Sequence, residues 1–545
     1  MTEMTEPRRD TTWWGWGDPG TLPELDDEAL AVLRERIGDL QPWPLAAADP
    51  AEFALLNPQP LPPKLTEAVG VGRIFTSLED RLRHASGRGY VDLARMRGGK
   101  LEAAPDAVVL PADVSQLRAV LDVCATEGIA VVPFGGGTSV VGGVEPLRGG
   151  HTRLISLDLA SLRNVEVDRR SLTARLGAGL RGPEAEEALG REGVTLGHFP
   201  QSFQYATIGG FAATRSAGQA SSGYGRFDAV VSSVRLIAPN GEMETLETPH
   251  TAAGPALREL IVGSEGVLGV IPDVTVRVRP APPRKRYEAW MAESFEAGAE
   301  IVRGLAQGPG LPEIIRVSDE EETEGSLAVS GPRGLAGRAF DRYLGVRKRR
   351  GGALMIVGYE GEEEALSRRR ALTVRGLRAG GAAYLGQSAG GSWEHGRYNG
   401  PYLRDTLMGM GAMVETLETS HTWTRLGELH AAVGGAIRDS LAGQGTPALV
   451  WCHLSHAYAD GASLYFTFIC RRREGAELEQ WAEVKRAACE AIVATGGTIT
   501  HHHAVGRDHV PHMEAEIGKR GLDVLRAVKQ ELDPAGIMNP GKLLP

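Results

Sequence analysis

Apolar residues first repeat at helical spacing after Asp113, where Leu117, Val120, Leu121 and Cys124 share one face of a segment that Asp113 can cap and Gly128 can end. The next run, Ile129–Pro133, is short and wholly apolar, which predicts a buried strand leading into a glycine-rich turn. Strand-type runs recur at Leu154–Leu157, Leu172–Leu176, Val231–Ala238 and Val274–Val278, so this stretch reads as α+β and ends near Pro280 in PAPPRKR. Upstream, Glu24–Gly38 patterns as an acidic amphipathic helix, and Asn57–Leu65 (NPQPLPPKL) as an extended surface connector. Downstream, helical and strand patterns alternate as in a second α+β domain, and Asp523–Pro545 is a helix followed by the irregular LDPAGIMNPGKLLP. The expected division is 1–102, a helical extension; 103–281, the first α+β domain; 282–505, the second; and 506–545, a C-terminal segment returning to the first.

Composition narrows the class. The 545 residues are 42% apolar and 23% charged, the profile of a soluble protein with a large core. No run reaches the ~20 apolar residues that span a bilayer, and MTEMTEPRRDTTWWGWG lacks the apolar centre of a signal peptide. Cys124, Cys452, Cys470 and Cys489 form neither a C-x-x-C pair nor a disulfide framework, so a cytoplasmic protein is expected, peripheral to a membrane at most. A formal charge of −10 without an extended basic segment argues against nucleic acid. The cluster Arg347–Arg350 reads as a membrane-surface contact or a solvated helix end, and Gly325–Arg350 as a lid or as helical packing.

Glycine, at 71 residues, carries the first chemical signal. In Pro133, Phe134, Gly135, Gly136, Gly137, Thr138 and Ser139, three glycines allow backbone N–H groups to converge on a phosphate while two hydroxyls add donors. It is neither the G-x-G-x-x-G fingerprint nor a P-loop. Taken alone, a flexible turn explains it equally well. Two further clusters follow in the same domain, Gln201–Gly210 continuing to Thr214–Ala217, and Gly263–Ile271. Three loops beside strands suit an extended dinucleotide.

PFGGGTS, TIGGFAATRSAG, GSEGVLGVI and the terminal LDPAGIMNPGK together resemble the vanillyl-alcohol-oxidase flavoprotein superfamily. The resemblance implies an α+β fold with a two-subdomain FAD-binding domain, an α+β cap domain over the flavin and, here, an N-terminal helical extension. It implies FAD on Pro133–Ser139, on Gln201, Ser202, Phe203, Gln204, Tyr205, Ala206 and Thr207, on Thr214, Arg215, Ser216 and Ala217, and on Glu265, Gly266, Val267, Leu268, Gly269, Val270 and Ile271. Members with covalent flavin usually carry a His beside the glycine loop; its absence here makes noncovalent FAD the expectation.

In the second half, Thr498-Ile-Thr-His-His-His-Ala-Val-Gly506 would place His501 and His503 on one face of a strand and His502 on the other. Such a run suits a metal site, a general-base cluster or an anion clamp. Flavin dehydrogenases of 2-hydroxy acids resemble Trp451–Phe466 through an H-x-G-D-G-N-L-H ligand pattern, but Tyr465 and His502 stand where their second His and their Glu would be, so no metal is expected. The alkyl-dihydroxyacetonephosphate synthase family is the better match, through TWWGWG, Ile314–Arg316, Tyr402–Asp405, Glu415–Thr419, Ala462–Phe466 and His501–His503. That resemblance makes Tyr465 the acid/base and His501, His502, His503 and Arg316 catalytic, with Arg404 and Thr416 on the substrate. The family's Ser is Thr416 and its Cys-Arg is Cys452-His453. The implied reaction exchanges the acyl group of acyl-dihydroxyacetonephosphate for a fatty alcohol through a flavin N5 adduct without net redox; the alternative is an FAD-linked oxidase or dehydrogenase of a hydroxy acid or alcohol. An Arg can hold a phosphate bidentately, and a Tyr can relay a proton next to a carbonyl if nearby cations lower its pKa. Singly, Arg404 as an ion pair and Tyr465 as a core aromatic explain as much. A small lipid or phosphorylated substrate, no nucleic acid, peripheral membrane contact and a homodimer complete the expectations.

Overall fold

The computed structural model describes residues 4–17, 20, 22–43, 48–50, 53 and 57–545. The helix Val114–Glu127 forms as its pattern predicts: Asp113 accepts the Gln116 N–H at 2.9 Å, and Gly128 ends it in the left-handed region at φ 63°. Its buried stripe covers a four-stranded sheet ordered Ile74–Phe75, Ala107–Val109, Arg153–Asp158, Ile129–Phe134. The two longest strands pair in parallel, Ile129 opposite Arg153 through Phe134 opposite Asp158. Both are buried almost throughout because both faces are covered, Ser156 and Asp158 of the second strand included. A five-stranded sheet follows, ordered Val165–Asp168, Thr173–Gly177, Asp273–Arg277, Val231–Ala238, Gly241–Glu244. These two sheets carry the glycine-rich loops expected to hold FAD, and together form the flavin half.

The remainder is built on one antiparallel seven-stranded sheet. Its order is Ala383–Gly386, Arg284–Ala292, Ala353–Gly361, Ile314–Ser318, Ala448–Ala457, Gly461–Arg471, Ala412–Thr422. Leu429, Val433, Ile437 and Leu441 of helix Leu426–Gly443 pack with Val484, Ala488 and Ile492 of helix Glu477–Thr495 over one face, leaving the other toward the flavin half.

Several expectations change in detail. The connector is extended only through Pro62, because Pro63 opens the helix Pro63–Val69, where a missing N–H costs nothing. The last helix starts at Met513, ten residues before the expected Asp523, interrupted at Gly518. The chain then returns to the flavin half: Val131 donates to Ile537 and Asn539 to Val131, both at 2.8 Å. Gly325–Arg350 falls on two helices, Glu320–Ser330 and Gly334–Val346. No helix among the described residues is long and apolar enough to cross a membrane.

Candidate active site

A cavity of about 560 Å³ lies between the glycine loops and the open face of the seven-stranded sheet. Strand periodicity builds its wall. Trp451, His453 and Ser455 alternate along one strand, Tyr465, Thr467 and Ile469 along the next, and Val414 and Thr416 along the third, with Arg316 from a fourth. Pairing sets their register: His453 and Glu418 both lie opposite Tyr465.

On the other side, all seven residues Pro133–Ser139 line the cavity. The glycines are required by the second loop: a Cβ on Gly135 would sit 2.3 Å from Thr207 Oγ1, and one on Gly136 2.0 Å from the Tyr205 carbonyl. The backbone amides of Gly135, Gly136, Gly137, Thr138 and Ser139 donate to no protein acceptor among the described residues. Five unspent donors on a cavity wall fit an anionic cofactor such as the FAD pyrophosphate. Gln201, Ser202, Ala206, Thr207, Thr214, Ser216, Ala217, Glu265, Gly266, Gly269, Val270 and Ile271 complete this side.

Other positions in these loops lie off the cavity wall. Phe203 stacks on Tyr398, Gln204 and Tyr205 accept from the Tyr402 hydroxyl, and Arg215 reaches the Val262 carbonyl and Asp228. Val267 and Leu268 are core residues. Glu265 does more than line the cavity, because its carboxylate accepts the amides of Val505 and Gly506 at 2.8 and 2.7 Å. The loop thereby ties the segment after the histidines to the flavin half.

The three histidines form a bend, not the expected strand. The reason is Glu418, whose fully buried carboxylate accepts the backbone N–H of His501, of His502 (3.1 Å) and of His503 (2.7 Å), and the Thr500 hydroxyl (2.6 Å). Amides that converge on one carboxylate cannot alternate along a ladder. His502 and His503 consequently face the cavity, whereas His501 turns away to bond the Tyr458 hydroxyl at 2.8 Å. Burial opposes the charge on Glu418, yet the three histidine residues, whose backbone amides it accepts, and the Thr500 hydroxyl hold its carboxyl well below the usual range. Burial also pushes all three imidazoles down, His503 to about 3. The arrangement is therefore an ionised Glu418 carrying neutral imidazoles. His456, His501 and His502 each bring one ligating atom within 4.8 Å of the others, a geometry that could hold a metal ion, and His456 Nδ1 has no hydrogen-bond partner.

Arg404 is buried, donating to Thr416 Oγ1 at 3.0 Å and to the Arg88 carbonyl at 3.3 Å, with Glu415 at 3.5 Å. Tyr465 lies beside the same Thr416, but burial raises its pKa despite that contact and the charge of Arg404. The lowering by nearby cations, the condition for a proton relay expected from sequence, is outweighed by burial. Arg316 pairs with Glu322, which also accepts from His453 Nδ1.

Sequence reasoning missed Trp16, Glu418 and Asp405 as parts of the site. Trp16 lines the cavity, its indole donating to the Arg88 carbonyl at 3.0 Å, while Asp405 accepts the Trp16 and Gly17 amides and pairs with Arg97 at 2.8 Å. Glu418 could have been found: it lies two residues from Thr416 on a strand, hence on the same face.

Two family models match the chain: "FAD binding domain" over residues 105–247 and "FAD linked oxidases, C-terminal domain" over 281–543. The alkyldihydroxyacetonephosphate synthase of Trypanosoma brucei brucei is 33% identical across 99% of this chain and 94% of its own length. That of Dictyostelium discoideum is 32% identical across 98% and 93%. A solved alkyldihydroxyacetonephosphate synthase structure superposes with a TM-score of 0.84 at 27% identity, covering 98% of this chain and 99% of that one. With likeness of this extent, and a cavity lined by the matching motifs, the chain belongs to the alkyldihydroxyacetonephosphate synthase family of FAD-dependent enzymes.

Proposed function

We propose that this enzyme exchanges the acyl group of an acyl-dihydroxyacetonephosphate for the alkoxy group of a fatty alcohol, releasing the fatty carboxylate and one proton with no net redox change. The observation that carries the reading is the convergence of Tyr465, Arg404, Arg316, His502 and His503 on one cavity wall, facing the glycine loops. Names of relatives agree with it.

The free amides of Gly135–Ser139 would hold the pyrophosphate of FAD, and the cofactor, when bound, supplies the electron-pair chemistry at C1 that ester-for-ether exchange requires. Arg404 binds the substrate phosphate, with Thr416 fixing the guanidinium. Tyr465 moves the C1 proton; burial keeps the phenol protonated at rest, so it must first pass its own proton on, with the Arg404 charge favouring the phenolate, before it takes the one from C1. Neutral His502 and His503 donate hydrogen bonds to a developing oxyanion, and Glu418 fixes their backbone. FAD is held noncovalently, so acid precipitation releases all yellow colour to the supernatant.

The test is anaerobic turnover. Acyl-dihydroxyacetonephosphate and a long-chain alcohol should give the ether product and free fatty acid in equal amounts, with oxidised flavin at the end. Lasting flavin reduction by an alcohol or hydroxy acid, without ether formation, would replace this reading by an oxidase.

A further inference from the structure

His453 stands where the family resemblance places an arginine, and the structure surrounds it as an imidazole. It is 4% exposed, lines the cavity, and stacks on Tyr465 with ring centroids 4.9 Å apart and planes at 21°. Its Nδ1 lies 3.2 Å from both oxygens of Glu322. Burial opposes charge on Glu322, but Arg316 and His453 hold its carboxyl at about 2. An ionised carboxylate only accepts, so the neutral imidazole must place its hydrogen on Nδ1, which leaves Nε2 unprotonated.

The pair is rigidly mounted. Asp319 caps the helix Glu320–Ser330 by accepting the Glu322 N–H at 2.8 Å. Its other oxygen accepts the Cys452 N–H at 2.8 Å, and its own N–H donates to the Cys452 carbonyl at 2.8 Å. One residue thus fixes both the carboxylate and the strand position next to His453.

We propose that Glu322 and His453 form a carboxylate–imidazole dyad that takes the hydroxyl proton of the incoming alcohol. The proposal rests on the transferase reading above. As the alcohol oxygen bonds to C1, its O–H bond breaks and the proton passes to His453 Nε2, while Glu322 balances the imidazolium. The fatty acid has left as carboxylate, so one proton must leave per turnover, and His453 passes it to solvent. Tyr465 remains the group for the C1 hydrogen. Two carriers in ring contact divide two protons between them.

The experiment separates the halves of the reaction in the FAD-loaded enzyme. Solvent deuterium entering C1 of a palmitoyl ester without alcohol reports the first half, and ether formation on adding hexadecanol reports the second. His453→Gln should slow the alcohol half by ~10²–10⁴-fold while deuterium entry falls by less than about tenfold. Added imidazole should restore part of the alcohol half in His453→Ala. Glu322→Gln, which leaves the imidazole in place but removes the charge that sets its tautomer, should slow the same half. Equal losses in both halves for flavin-replete His453→Gln, or an unchanged alcohol half, would overturn the dyad. Absence of ether formation by the wild-type enzyme would instead overturn the transferase reading. Nitrogen-15 imidazole spectra give a readout independent of turnover: the dyad requires the Nδ1–H tautomer at His453, and an Nε2–H tautomer would overturn it.

Discussion

Replacing Glu418 by Gln tests the claim that one carboxylate shapes the histidine bend. Oε2 accepts the His501 amide; Oε1 accepts those of His502 and His503 and the Thr500 hydroxyl. A glutamine of the same size can present only one oxygen, so its NH₂ must face at least the His501 N–H. One charge-assisted bond is lost and a buried donor is left unpaired, together ~2–4 kcal/mol. At 1.4 kcal/mol per tenfold, hydrogen-exchange protection of the His501–His503 amides should fall by about 30–700-fold if they exchange by local opening. Amide exchange resolved on a peptide spanning residues 498–506 measures this directly. The pH dependence adds a second check. The native carboxyl is depressed, so its stabilisation is complete above the unfolded value of ~4.3 and disappears as pH falls toward the native one. The wild-type advantage should therefore be flat above about pH 4.3 and shrink below it. The buried histidines also destabilise the native state increasingly below ~6.5, a loss that cancels in the ratio wherever the imidazoles are neutral in both proteins. A change under threefold, or a ratio independent of pH down to 3, would refute the reasoning.

Other substitutions probe the division of labour. Tyr465→Phe should cost ~10²–10⁴-fold in kcat with FAD content unchanged in the visible spectrum, since the glycine loops are untouched. Arg404→Ala should mainly raise KM for the phosphorylated substrate in steady-state assays, because phosphate binding serves ground and transition states alike; a fall in kcat alone would assign Arg404 elsewhere. For the nitrogens of His456, His501 and His502, the expectation is hydrogen bonding without metal: exhaustive chelation should leave turnover intact, and stoichiometric zinc or manganese by elemental analysis would reverse that assignment.

The local elements were legible because local physics fixes them. The Asp113 cap, the apolar stripe Leu117–Cys124 and Gly128 specify a helix wherever it is placed, and the run Ile129–Pro133 must be buried on both faces. The three glycine loops pointed to a dinucleotide through backbone geometry, and family likeness brought Tyr465, Arg404 and the histidines together as a set. Tertiary structure decided what those residues can do. The run His501–His503 carries no sign that it will bend, because the carboxylate that bends it lies more than eighty residues away on another strand. Arg215, Val267 and Leu268 lie in the right loops but face the protein, since loop direction depends on what packs behind it. Burial, which no linear pattern states, raised the Tyr465 pKa where charge alone would have lowered it. The same holds for Glu322 and His453: each reads as an ordinary polar residue, and only the cap of one helix against one strand makes them a pair. Sequence determined the elements and the chemistry available, whereas the long-range contacts between elements determined orientation, solvation and charge.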